Sequence, residues 1–254
     1  MNRGIIICRY EYKMLLKRPG GWLVFAFAMA VAILDAFPSD ANLNRLEFLP
    51  QPSYFIRRII AFYGLLLLFG LMFMLAGRIP NDRNNGIMDL FRAMPVGKKQ
   101  YLLGKLAGGF LYAFSMLLAL LAGNLILYTV FAPASFSLPE YIFPLLTGVF
   151  SVILPACFFV AACSVMLPAV FDIRLFYLAF SVLFILNAFT VGSAKSVPFY
   201  MITGGDLSGL IWRHPKFPAQ GCSGFLKNLL FLTGSGLLSI LSVKLKPGFW
   251  RADQ

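Results

Sequence analysis

Acidic residues are scarce in this chain, with 10 Asp and Glu against 22 Lys and Arg in 254 residues, and only 13% of positions are charged. Soluble domains carry roughly 25% charged residues. Here 59% of residues are hydrophobic and the mean hydropathy is +0.79, which excludes a water-soluble globular protein. Histidine is almost absent: His214 stands alone, outside any apolar run. The cysteines Cys8, Cys157, Cys163 and Cys222 are scattered, without metal-type spacing or a disulfide framework, and Cys157 and Cys163 read as small core residues. A P-loop is also missing. That motif needs Gly-x-x-x-x-Gly-Lys-Ser/Thr so that backbone amides cradle phosphate, but Gly104-Lys105 is followed by Leu106, and Lys195-Ser196 is preceded by Ala194. Intramembrane hydrolysis would need paired acids or a His/Glu metal set at membrane depth. No metal site and no enzyme activity are expected in this chain.

What the chain does have is six apolar runs, over residues 22–37, 59–76, 106–131, 141–167, 175–191 and 225–243. About 20 apolar residues cross a bilayer as a helix, and hydrocarbon satisfies no free backbone N–H or C=O. The expected fold class is therefore an all-α integral membrane protein with six transmembrane helices in a single transmembrane domain over 1–254. A barrel would need short alternating segments. Pro144 and Pro155 predict a kink in the fourth span. Ser39-Asp40-Ala41 loosely fits a cleavage site, but the 21 residues before the first run read against a signal peptide.

Lys and Arg are unevenly shared between alternate loops. Fifteen lie in the N-terminal segment, the second and fourth loops and the tail, against seven in the others. The positive-inside rule then puts both termini in the cytoplasm of a multi-pass protein of the plasma or inner membrane. The excess of cations reads as attraction to anionic lipid, and nucleic acid is not expected as a partner. Asp35 near the outer end of the first span, and Asp172 with Arg174 before the fifth, fit snorkelling or local pairing better than a proton relay. Asn124, Asn187, Ser151 and Thr190 sit within spans. They read either as hydrogen-bonding residues or as lining of a substrate path.

Two features of the cationic side stand out. In residues 1–21, Ile5, Cys8, Tyr12, Leu15 and Leu16 gather on one helical face with Arg9, Lys13 and Lys17 beside it every four residues, as in a helix lying in the headgroup layer. Pro19-Gly20-Gly21 is expected to break that helix before the first span. In the loop 77–105, Ile87, Leu90, Phe91 and Met94 follow i, i+3, i+4, i+7 spacing, which predicts a short amphipathic helix. Asn85-Gly86 marks its start and Pro95-Val96-Gly97 its end. A second helix is expected from Lys98 into the third span.

The segment from Gly86 to Leu106 (Gly-Ile-Met-Asp-Leu-Phe-Arg-Ala-Met-Pro-Val-Gly, then Leu103-Gly104-Lys105 before the third span) resembles the cytoplasmic signature of ATP-binding-cassette (ABC) transporter permeases of the type-2 exporter family. Asn85 departs from that pattern, where the family often has an acidic residue. The resemblance implies that the loop helix is a coupling helix docking on a separate cytoplasmic ATPase. Ile87, Met88, Asp89, Leu90, Phe91, Arg92 and Met94 would form its docking face, and Pro95 and Gly97 its bend. It implies that Leu102, Gly104 and Lys105 anchor the following span, and that Arg9, Lys13 and Lys17 belong to an interfacial helix approaching the ATPase. It further implies re-entrant helices between the fifth and sixth spans over 193–224, and a second permease copy. Cofactors are none in this chain, with ATP and Mg in the partner subunit. The 27 Phe, 10 Tyr and 3 Trp lean towards a hydrophobic or amphipathic cargo such as a lipid, peptide or drug. An ion-gradient carrier, and a non-transporting scaffold or immunity protein, remain as alternatives.

Overall fold

A computed structural model describes residues 3–94, 96–131, 138–190, 222–246 and 249. Helix is the regular structure throughout them. In chain order the helices are α1 (Arg3–Leu16), α2 (Pro19–Ala36), α3 (Asp40–Arg45), α4 (Pro52–Arg58), α5 (Leu65–Ala76), α6 (Arg78–Asn84), α7 (Ile87–Ala93), α8 (Lys98–Phe131), α9 (Leu138–Gly148), α10 (Leu154–Met166), α11 (Ile173–Thr190) and α12 (Cys222–Leu245). Five continuous helical stretches are long and apolar enough to cross a membrane: Pro19–Ala36, Pro52–Asn84, Lys98–Phe131, Pro139–Ala169 and Phe225–Leu245. The sixth apolar helix, Ile173–Phe189, is shorter. The described residues are all-helical, and the chain is a multi-pass membrane protein. The expected re-entrant helices, Pro95 and the Thr190 side chain lie outside the described residues.

Two of the stretches are built with wide turns. A π-helical segment, Ile59–Gly64, joins α4 to α5, and another, Val149–Ile153, joins α9 to α10. The second lies just before Pro155. Proline has no N–H for the i→i−4 ladder, and the wider turn accommodates the lost bond. The helix break near the N-terminus falls at Lys17–Arg18 rather than at Pro19-Gly20-Gly21, because those three residues open α2. Proline is preorganised for the first helical position, where no N–H is needed.

At the centre is α10, nearly every residue of which is buried, Cys157 and Cys163 among them. It packs on α12, α8 and α5, and its small residues (Ala156, Cys157, Ala161, Ala162, Cys163, Ser164) permit the close approach favoured between membrane helices. Exposed Leu, Ile and Phe cover the outside of α2, α11 and α12, as hydrocarbon solvent allows. At the end of the bundle away from α7, Phe37 packs on Phe131 at 5.1 Å and Phe55 stacks on Tyr128 at 4.1 Å. There Asp35 accepts from Arg45 at 2.5 Å, Arg58 at 2.6 Å and Tyr63. Of the snorkelling or local pairing expected of Asp35, the structure shows pairing. Ser39 caps α3, accepting from the Asn42 N–H.

Candidate functional site

The longest helix places the site. At about 1.5 Å per residue the 34 residues of α8 span roughly 50 Å, well beyond the ~30 Å of a hydrocarbon core. Its first turns carry α1 on one side and α6 and α7 on another. The contact between α1 and α8 is close because Gly104 and Gly108 leave α8 without side chains there. A Cβ on Gly104 would fall 2.7 Å from Ile7 Cβ and 3.0 Å from the Gly4 carbonyl, and one on Gly108 would fall 2.9 Å from the Cys8 carbonyl. This is the small-xxx-small spacing that brings helix backbones together. Higher up, Tyr12 donates to Ser115 Oγ at 3.4 Å.

The packing keeps most of the face that the sequence predicts for α1, with Leu15 buried and Cys8, Tyr12 and Leu16 half-buried, and adds Ile7 and Glu11 to it. Ile7, Glu11 and Leu15 are inward, while Ile5 is 61% exposed. Arg9, Lys13 and Lys17 are all exposed. The inward stripe holds a charge because the neighbours supply counter-charges. Glu11 accepts from Arg78 through Nε and from Lys105 at 2.7 Å, and Lys105 also meets Asp82 at 2.7 Å. Tyr101 donates to Asp82 at 2.7 Å, and its ring lies 5.8 Å from the Lys105 ammonium. Glu11, Arg78, Asp82 and Lys105 are each no more than 4% exposed. Two acids and two cations from α1, α6 and α8 thus form a neutral buried knot, the arrangement in which buried charges survive. Burial would raise the Glu11 carboxyl pKa. The Arg78 hydrogen bond and the charges of Lys105 and Arg78 outweigh that and hold it below its ordinary value.

The knot is linked to α7. Gly86 precedes that helix with φ of 68°, the left-handed region that glycine enters without a Cβ penalty. Within α7, Met88 is buried, and Phe91 packs on Tyr101 with ring centroids 5.1 Å apart. Arg92 pairs with Asp89 at 2.7 Å and donates to the Phe249 carbonyl at 3.2 Å. Ile87, Leu90 and Met94 point outward, Leu90 at 64% exposure. The face expected as one apolar stripe is therefore divided, with Met88 and Phe91 fixing the helix and Ile87, Leu90 and Met94 left open. Gly104 and Lys105 serve the α1 contact and the knot, and Leu102 is buried. The far ends of two helices are tied in as well. Lys98 donates to the Lys244 carbonyl at 2.9 Å and Lys246 to that of Ala169 at 3.0 Å, satisfying carbonyls at helix ends.

Between α1 and α7 runs a groove of about 620 Å³. Ile6, Tyr10 and Met14 form one wall, Ile87, Phe91 and Met94 the other, and the knot is its floor, with Arg18 at its edge. The span residues Asn124, Ser151 and Asn187 sit on three separate segments and are not brought together. Each bonds a carbonyl one turn back, on Leu120, Thr147 and Leu183 respectively, and Asn124 also contacts the Met29 sulfur at 3.1 Å.

Glu11, Arg78 and Asp82 do not stand out in the sequence as a set. The available signals were a lone acid in a basic helix, i±4 from Ile7 and Leu15, and the Gly104-x-x-x-Gly108 spacing. Comparison with family models, curated proteins and solved structures gives no match.

Proposed function

We propose that this chain is the membrane-spanning permease subunit of an ATP-driven ABC exporter that moves a hydrophobic or amphipathic substrate. ATP and Mg belong to a separate cytoplasmic ATPase, and a second permease copy completes the pathway. The observation that carries the reading is α7: a seven-residue helix fixed from behind by Phe91 on Tyr101, with Ile87, Leu90 and Met94 open to a partner. Exposed apolar side chains on a rigid support are what a docking surface needs. From Phe91 an unbroken path of contacts runs through Tyr101 and Asp82 to Lys105 on α8 and Glu11 on α1. A push on α7 therefore reaches the longest helix without passing through a flexible segment. The reading also takes Ile173–Phe189 as the fifth of six crossings, and both termini as cytoplasmic.

The Leu90→Asp variant tests this without disturbing the fold, since the side chain is largely exposed. ATP-dependent export and co-purification of a P-loop ATPase should both fall by about tenfold or more, with the thermal midpoint in detergent unchanged. Export that continues undiminished in this variant removes the docking role of α7. A charge at Phe91 is a poorer test, because that ring is part of the support.

A further inference from the structure

The first turn of α2 lacks the groups that complete a helix start. Its N-cap is Arg18, no side chain bonds to its first amides, and no acid stands in its first turn. Pro19 has no N–H, which leaves the Gly20 and Gly21 amides at the positive end of an 18-residue helix. A second group converges there. Tyr112 on α8 is fully buried, and its hydroxyl has no hydrogen-bond partner. That hydroxyl lies against the turn, since a Cβ on Gly21 would fall 1.8 Å from Tyr112 Oη. Burying a hydroxyl unpaired is costly, and native proteins leave few such groups. Arg18 itself is the third group. It is half-buried, makes no ion pair among the described residues, and is within electrostatic reach of Tyr112 and Arg78. The nearest acids, Glu11 and Asp82, are already engaged by Arg78 and Lys105. Burial and the Arg78 charge pull the Arg18 pKa down, and an incoming anion would oppose both.

We propose that the corner between α1 and α2 binds a phosphate group, held by the Gly20 and Gly21 amides, the Arg18 guanidinium and the Tyr112 hydroxyl. All of these can donate. A phosphate presents oxygens in several directions and accepts from them together, where a carboxylate has only two. Helix starts bind phosphate through their amides, and the planar guanidinium matches it in a two-pronged contact. The Tyr112 hydroxyl is shielded as the side chains stand, so binding includes a turn of the Arg18 side chain towards the phosphate. A phospholipid headgroup and a soluble phosphate share this chemistry. The surroundings suit the lipid: α2 is the first candidate span, so its start lies at a membrane surface. Trp22 there is half-exposed, with its indole N–H on the Leu16 carbonyl at 2.7 Å, and exposed Leu23 and Phe27 continue the outward face along which acyl chains would lie. The site is independent of any ATPase and needs only that α2 starts at a membrane surface.

The experiment follows the thermal midpoint of the full chain in detergent as phosphatidylglycerol, diacylglycerol or inorganic phosphate is added. It compares the wild type with Arg18→Gln, Tyr112→Phe and Lys13→Gln. A ligand of the folded state raises the midpoint. Phosphatidylglycerol should raise it, and diacylglycerol, which lacks the phosphate, should not. Arg18→Gln should weaken the apparent affinity about tenfold and Tyr112→Phe about threefold. Lys13→Gln, at an exposed position on α1, should leave it unchanged. Without ligand, Tyr112→Phe should melt no lower than the wild type, because the hydroxyl it removes has no partner, and its effect then appears in the ligand response alone. A response to inorganic phosphate instead of phosphatidylglycerol, with the same dependence on Arg18 and Tyr112, supports the site and assigns it to a soluble phosphate. Equal affinity in the wild type and either the Arg18 or the Tyr112 variant overturns the proposal. So does an equal loss in Lys13→Gln, which marks general surface charge, an equal response to diacylglycerol, or a midpoint that neither phosphate compound moves.

Discussion

Glu11 decides how the N-terminal helix sits. On composition it belongs to a cationic, membrane-surface helix, but it is 3% exposed and shared between Arg78 and Lys105. Removing one partner from a buried ionic set leaves an uncompensated charge, at a cost of about 3–5 kcal/mol. Glu11→Gln should therefore lower the thermal midpoint in detergent by several degrees, whereas neutralising exposed Lys13 should change it little. The pH dependence follows from the depressed carboxyl pKa. Above its ordinary value of 4.5 the group is ionised in both folded and unfolded chains, and its full contribution is present. As pH falls through the lower folded-state value the contribution disappears, because the unfolded chain takes up the proton more readily. The midpoint should fall on acidification below about pH 4.5, and Glu11→Gln should flatten that limb. A wild-type and variant pair with identical acid limbs would show that Glu11 is not the titrating group.

At the scale of elements, the contact between α1 and α8 depends on two missing side chains. A methyl at Gly104 meets Ile7 Cβ and the Gly4 carbonyl, which are not free to move aside. Overpacking of this kind costs about 1–3 kcal/mol. Gly104→Ala and Gly108→Ala should each lower the thermal midpoint, while Gly97→Ala, whose Cβ would meet nothing within 4 Å, should not. Equal midpoints for all three would mean that α1 does not lie where the structure places it. The short helix over Ile87–Ala93 was legible from apolar spacing and from Asn85-Gly86. Which of its apolar residues turn inward was not, because i, i+3, i+4 spacing defines a stripe but not the neighbour that covers half of it. Tyr101, one turn into α8, takes Phe91 and leaves Leu90 outside. Likewise Pro144 and Pro155 pointed to an irregular fourth stretch, but the π-helical form depends on the packing of α10.

For the whole molecule, the number of crossings turns on α11. Its 18 described residues extend about 27 Å, as those of α2 do, close to the ~30 Å of a hydrocarbon core, and local thinning of the bilayer makes up the difference in a crossing. Reporter fusions at the two termini decide this. With six crossings both report from the cytoplasm, in line with the side that carries most Lys and Arg. Termini on opposite faces would mean five crossings and would reverse the placement of α12.

Composition and run length alone determined that this is a multi-pass helical membrane protein, because a backbone in hydrocarbon has few ways to satisfy its polar groups. They also determined where most helices lie. Local rules of this kind depend on residues a few positions apart, and the sequence displays them directly. Only the tertiary structure decided that Glu11, Arg78, Asp82, Lys105 and Tyr101 meet. They are drawn from three helices up to 94 positions apart in sequence, and a buried charge is acceptable only where distant counter-charges converge on it.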